Sequence, residues 1–256
     1  MLRPRRPVGS AKSSQFFDRF PEFYETSLTG RTADRLNLRY EAIFAENKDI
    51  FTGARVVDIA SHDGRWSLAA LESGAAHVYG IEARADLVDN AGRTLGKYVD
   101  DKSRFSFVAG DVFRELNRYK EPVDVVLCLG FLYHTLRYNE LFSLIRNLNP
   151  RHLILDTRVV KTGGKPLVSV RVEPTEKQAN AVGDDWNPPD RALVAWPSVP
   201  AIRVMTKPYG FQFTSTSDWG SLLRDNPTFE RVTDYAKLTR VTILLSATAR
   251  DLPSQP

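Results

Sequence analysis

Arg55-Val-Val-Asp-Ile-Ala-Ser-His-Asp-Gly-Arg-Trp-Ser-Leu-Ala-Ala-Leu-Glu-Ser-Gly-Ala-Ala-His-Val-Tyr-Gly-Ile-Glu82 is the stretch whose reading decides the fold. Val56, Val57 and Ile59 make a short apolar run with Asp58 inside it. A turn of small and polar residues follows, then the helix-period apolar set Trp66, Leu68, Ala69, Ala70 and Leu71. Gly74 stands where a helix C-terminus favours a left-handed residue, and His77-Val-Tyr-Gly-Ile81 reads as a second strand ending on Glu82. The unit is β-α-β. An acid closing the second strand of such a unit accepts hydrogen bonds from both ribose hydroxyls of a nucleoside, while the first turn and helix N-terminus hold its charged end. Glu82 is therefore expected to hold the ribose of an adenosine-type cofactor.

A dinucleotide fingerprint needs glycines in the turn so that a pyrophosphate can approach the backbone. Here Gly64 remains, with Ala60 and His62 at the earlier positions and Asp58 inside the strand. This pattern resembles motif I of the class I S-adenosylmethionine (SAM) dependent methyltransferases, in which an acid ends the first strand, small residues form the turn and a second acid grips the ribose. The resemblance runs from about Arg55 to Ala249. It implies cofactor contacts at Asp58, Ala60, His62, Gly64 and Glu82. Asp58 has a second reading, in which it orders the turn by accepting backbone N–H groups without touching a ligand.

Downstream, Asp86 to Tyr98 reads as a helix and Phe105 to Val108 as a third strand closed by Ala109-Gly-Asp111. Asp111 matches the acid that bonds the adenine amine in the family; as an alternative it caps a helix from Val112 to Tyr119. Val123 to Leu129 is a near-continuous apolar run of the kind buried on both faces of a parallel sheet. Gly130-Phe-Leu-Tyr-His134 follows it at the carboxyl edge, where an open parallel sheet binds its ligands. This puts Gly130 beside the cofactor and makes His134 the candidate base. The same five residues resemble the Gly-x-Leu-Tyr-His segment of the tRNA wobble-uridine carboxymethyltransferase family. Leu141 to Leu148 is the next helix, and His152 to Asp156 the fifth strand, so that His134 and Asp156 are expected at adjacent strand ends.

Residues 157–197 depart from the minimal fold and are read as an acceptor-side insertion. Leu167 to Val172 is an extra strand, and Gly183-Asp-Asp-Trp-Asn-Pro-Pro-Asp190 a polar loop in which Trp186 offers an apolar face. Asp184, Asp185 and Asp190 are oxygen ligands a divalent metal would accept, but a solvated Pro-rich turn is favoured over a metal site. Ser198 caps a helix reaching Lys207, Phe211 to Ser215 is a strand, and Leu238 to Ala247 is the last and most β-prone one. A strand pair of this kind resembles the antiparallel end of the methyltransferase sheet. The expected fold class is thus α/β: a Rossmann-like seven-stranded, mostly parallel sheet with helices on both faces and an antiparallel final strand.

With 256 residues, 42% of them hydrophobic, the chain can bury the core of one domain, expected over residues 16–250. The net charge of +4 is confined to the tail over residues 1–15, where Arg3, Arg5, Arg6 and Lys12 have no acid among them; beyond it the charges balance. A disordered tail is favoured there, and a nucleic-acid partner is disfavoured. The N-terminal Met-Leu-Arg-Pro-Arg-Arg-Pro lacks the apolar centre of a signal peptide, and no apolar run spans a membrane, so the expected location is the cytoplasm. The single cysteine, Cys128, sits in the fourth apolar run as a buried thiol. Thr32 to Phe51 reads as a helix over the cofactor, from which Arg31, Arg39 and Tyr40, with the preceding Tyr24, would reach the ligand or pack. The expected activity is SAM-dependent methyl transfer to a polar small molecule, by preference to a sugar-like hydroxyl with His134 and Asp156 as catalytic pair. A tRNA-modifying enzyme and a non-catalytic SAM-binding protein are the alternatives, while Asp58 and the terminal strand pair disfavour a nicotinamide oxidoreductase.

Overall fold

The computed structural model describes residues 15–26, 33–226 and 232–248. Its strands are β1 (Arg55–Ile59), β2 (His77–Glu82), β3 (Phe105–Ala109), β4 (Val125–Leu129), β5 (His152–Arg158), β6 (Val168–Pro174), β7 (Arg191–Pro197), β8 (Phe211–Thr216) and β9 (Arg240–Ala247). Seven of them form one sheet in the order β3-β2-β1-β4-β5-β9-β8. The first five in that order are parallel, and β9 runs antiparallel to both of its neighbours. The expected architecture is present. Every residue of β4 is buried, as an inner strand covered on both faces requires. The strand order reverses between β1 and β4, so the crevice at their carboxyl ends is where a ligand site is formed.

The helices are α1 (Glu22–Thr26), α2 (Ala33–Tyr40), α3 (Arg65–Glu72), α4 (Ala85–Tyr98), α5 (Val112–Arg118), α6 (Tyr138–Asn147), α7 (Val199–Thr206), α8 (Trp219–Asp225) and α9 (Thr233–Ala236). On one face of the sheet Phe17, Phe23, Leu36, Phe44 and Trp66 form an aromatic-rich core with the inner faces of α3 and α4. On the other face Phe113, Leu116, Leu141, Phe142 and Ile202 bring in α5, α6 and α7. The N-terminal aromatic segment is therefore structural: Phe17 is fully buried and meets Trp66 edge-on at 5.7 Å.

The long helix expected from Thr32 is broken. It stops at Tyr40, followed by a π turn, Glu41–Ala45, and a 3-10 turn, Lys48–Phe51. Ala42, Ile43 and Phe44 of the π turn are all buried. Thr32 and Arg31 lie outside the described residues, as does the basic tail except for Gln15. No helix among the described residues is long and apolar enough to cross a membrane.

Between β5 and α7 the chain forms an antiparallel hairpin of β6 and β7, a two-stranded sheet of its own. The sequence predicts one strand here, and its amphipathicity runs opposite to the usual sense. Val168, Val170 and Val172 are the exposed face, 38%, 59% and 54% accessible, while Glu173 faces inward. β6 thus turns Glu173 inward, while β7 buries Ala192 and Val194.

Candidate active site

The turn after β1 keeps a glycine-like backbone without the glycines. Ala60 and His62 adopt positive φ, 55° and 53°, and Gly64 follows at 78°. Left-handed backbone disfavours residues with a Cβ, so strain of about 1 kcal/mol or more at each is held by the surroundings. The Ser61 amide donates to the Ile81 carbonyl, and the Gly64 amide to Ser61. Gly64 is needed for a second reason: a Cβ there would lie 2.7 Å from Leu95 Cδ1. Next to it, buried Asp63 accepts from the Arg65 amide and Nε, and from Thr26 Oγ1. Burial would raise the Asp63 carboxyl, but the charges and bonds of Arg65 and His62 hold it well below the ordinary range.

These elements open onto a cavity of about 1020 Å³, large for a single small ligand. Glu82 lines it at 5% exposure, its Oε2 accepting from the His62 amide at 3.1 Å and its Oε1 from the Arg84 amide at 3.0 Å. Two lone-pair sites of the carboxylate remain for a ligand. Asp111 lines the cavity and also caps α5, accepting from the Arg114 amide at 3.0 Å, so both expected roles are compatible. Val112, Phe113 and Phe131 supply apolar walls beside it, and Gly130, at φ 106°, leaves space in front of β4. An acid at ribose height, an apolar slot with a second acid, and a tight turn fit the adenosine part of SAM.

Ala60, His62, Glu82, Asp111, Gly130 and His134 all line the cavity, whereas Asp58, Gly64 and Asp156 lie behind its wall. Asp58 is 1% exposed and accepts from Ser67 Oγ at 2.7 Å, tying β1 to α3 through a side chain and not through the turn amides. Burial pushes its carboxyl up to about 7.

Asp156 does not hold His134. Strand alternation gives it the face of Ile154, toward α2 and β9, where it is fully buried. There it accepts from Arg39 at 3.0 Å, Arg240 Nε at 2.6 Å, Tyr235 Oη at 2.6 Å and Thr242 Oγ1 at 2.8 Å. Burial alone would raise the Asp156 carboxyl, but the two guanidinium charges and these bonds hold it well below the carboxylate range. The partner of His134 is Glu173 on β6, whose Oε2 lies 2.8 Å from His134 Nδ1. Burial would raise the Glu173 carboxyl; the bond and charge of His134, the Ala181 amide and the Arg158 charge together bring it below its ordinary value. With Nδ1 donating to the carboxylate, Nε2 is the acceptor nitrogen.

The connection between β6 and β7 closes the cavity. Gln178, Asn180, Ala181, Val182, Asp184 and Asn187 line it from that side, with Trp186 at the mouth, 79% exposed. Three arginines of the main domain pin the connection: Arg84 to the Lys177 and Asn180 carbonyls, Arg114 to Asp185, and Arg137 to Asp184 at 3.3 Å. Asp184 further accepts from Asn187 and the Trp186 amide, so two of the acids expected to be solvated, Asp184 and Asp185, serve as anchors.

The family described as "Methyltransferase domain" matches residues 56–151, the segment carrying the turn, Glu82, Asp111 and His134. That segment is similar to the methyltransferase domain family. Solved structures share this methyltransferase fold at low identity. Magnesium protoporphyrin IX methyltransferase (ChlM) from Synechocystis PCC 6803 with bound SAH superposes with a TM-score of 0.56 at 17% identity, covering 91% of this chain and 94% of that one. The N-terminal domain of EvdMO1 with SAH bound gives 0.52 at 16%, covering 88% and 85%. The [4+2]-cyclase SpnF gives 0.52 at 13%, covering 80% and 82%, so this fold also serves other chemistry. Among curated proteins, the probable histone-arginine methyltransferase CARM1 of Oryza sativa subsp. indica is 29% identical over 128 residues, 49% of this chain. The chain spans 23% of that relative's length.

Two residues of the site are not legible from sequence: Glu173, which meets His134 from behind the cavity lining, and the cavity residue Arg158. Glu173 sits after alternating valines that point to solvent, so the alternation assigns it to the wrong face. Arg158 follows the predicted end of β5 by two residues and reads as a loop residue until the strand is seen to continue through it.

Proposed function

We propose that this protein is a SAM-dependent methyltransferase acting on a hydroxyl of a polar small molecule. The observation that carries the choice of oxygen is the His134–Glu173 pair, 2.8 Å apart at the cavity wall beyond Gly130. When bound, SAM supplies an electrophilic methyl group on a sulfonium. Glu82 would hold the ribose, Asp111 with Val112 and Phe113 the adenine, and the turn from Ala60 to His62 together with Gly130 the remainder. His134 takes the hydroxyl proton at Nε2, and Glu173 fixes the tautomer and steadies the imidazolium that forms. An amine acceptor near its own pKa would need no such pair.

The roof formed by the β6–β7 connection supports a small acceptor, since a large one would have to displace the three arginine anchors. The test is methyl incorporation from labelled SAM across a panel of polar metabolites, then kinetics of His134→Ala and Glu173→Gln on the acceptor found. His134→Ala should lower kcat by about 10²-fold or more and Glu173→Gln by at least about tenfold, both still binding SAM. Wild-type turnover by His134→Ala would remove the base and the preference for oxygen.

A further inference from the structure

Seven arginines line the cavity, and six of them are already bonded. Arg35 pairs with Asp234, Arg39 and Arg240 with Asp156, Arg65 with Asp63, Arg137 with Glu140, and Arg84 with backbone carbonyls. The guanidinium of Arg158, at the end of β5, has no hydrogen bond or ion pair among the described residues. It instead rests against two rings, 5.7 Å from the Tyr133 centroid and 5.1 Å from that of Trp196. These ring contacts hold the group without using its N–H donors, which stay available to two oxygens of one oxyanion.

The surroundings make this cation a poor neighbour for the base unless something neutralises it. The nearby carboxylate, Glu173, takes His134 Nδ1 and the Ala181 amide on Oε2, and feels the charge of Arg158 without forming an ion pair with it. Once His134 is protonated, the group of Arg158, His134 and Glu173 carries a net positive charge in a partly buried site. Deeper in the same wall the carboxylates of Asp156 and Asp234 face three arginines, Arg35, Arg39 and Arg240, again one positive charge in excess. The excess cation lies on the side of the cavity away from Glu82 and Asp111, where the adenosine fits.

We propose that Arg158 is the binding site for an oxyanion of the acceptor, a carboxylate or phosphate ester, so that the substrate is a hydroxylated acid. This rests on the methyltransferase reading above and specifies its substrate class. The acid group seats on Arg158, brings the hydroxyl to His134 and cancels the charge that would otherwise oppose proton uptake there.

The test is calorimetry on the SAH-saturated full chain with matched probes: 3- and 4-hydroxybenzoate against their methyl esters, glucuronate against its methyl ester, and glucose 6-phosphate against glucose. At least one acid should bind at least about tenfold more tightly than its neutral partner. The carboxylate and phosphate pairs show which oxyanion is taken. Arg158→Gln should abolish the preference with SAH affinity unchanged, and Arg158→Lys, which keeps the charge but not the planar fork, should retain part of it. The proposal is overturned if no acid exceeds its neutral partner, or if the preference survives in an Arg158→Gln protein that binds SAH like the wild type. Failure of SAH to bind the wild type would instead remove the methyltransferase reading, and the same probe pairs on the ligand-free chain would still decide the oxyanion site.

Discussion

Asp156→Asn separates a structural from a catalytic acid. In the wild type this carboxylate, with no exposure, sits between the guanidinium groups of Arg39 and Arg240, both 5% exposed, and also accepts from Tyr235 and Thr242. Asparagine is close in shape but offers one acceptor oxygen where all four neighbours donate, and it leaves two buried cations without a counter-charge. Breaking a buried ion pair by removing one partner destabilises by about 3–5 kcal/mol. For a domain of this size each kcal/mol lowers Tm by about 2–4 °C, so a fall of roughly 6–20 °C is expected at neutral pH in a thermal unfolding scan. The pH dependence has a definite sign. The folded carboxyl lies below its unfolded value, so its contribution is present above the unfolded pKa of about 3.9 and is lost as pH falls through the folded value. The gap between wild type and variant should therefore be constant above about pH 5 and narrow in acid. A variant that melts within about 2 °C of the wild type would refute the network's role, and one that did so while losing turnover would return Asp156 to catalysis.

Asp58→Asn should behave in the opposite sense. Its folded pKa is raised to about 7, so wild-type stability is highest in acid and falls as pH rises from about 4 through 7. The variant should melt like the wild type near pH 4 and higher than it at pH 8; equal melting at both would contradict the buried-charge account. Ala60→Gly should release left-handed strain at φ 55°, partly offset by the entropy of glycine, for a net gain of up to about 1 kcal/mol and a Tm higher by about 2–4 °C. A lower Tm would show that the strain is absent.

Much of the fold was legible because local chemistry and long-range packing agree. The buried run Val125–Leu129 and the turn before α3 each admit few alternatives, and Glu82, Asp111 and Gly130 meet because parallel topology brings all carboxyl ends to one edge. Side-chain partners were less legible. His134 and Asp156 end adjacent strands, yet period-two alternation sends Asp156 to the face of α2, where Arg39 and Arg240 claim it. Glu173 meets His134 instead, from a strand, β6, whose valines face solvent, a reversal that no periodicity rule anticipates. The conformations of Ala60 and His62 were hidden for a related reason: residue type argues against positive φ, and it is the packing of the turn that imposes it.

The central claim is that the cavity holds SAM with its ribose on Glu82, and calorimetric titration tests it most directly. The wild type should bind SAM and SAH and give no heat with NAD. Glu82→Ala should weaken SAM and SAH roughly ten- to more than hundredfold, because a charge-assisted bond to a buried hydroxyl is worth about 1.5–3 kcal/mol. Binding of NAD in place of SAM, or unchanged SAH affinity in a folded Glu82→Ala protein, would contradict it.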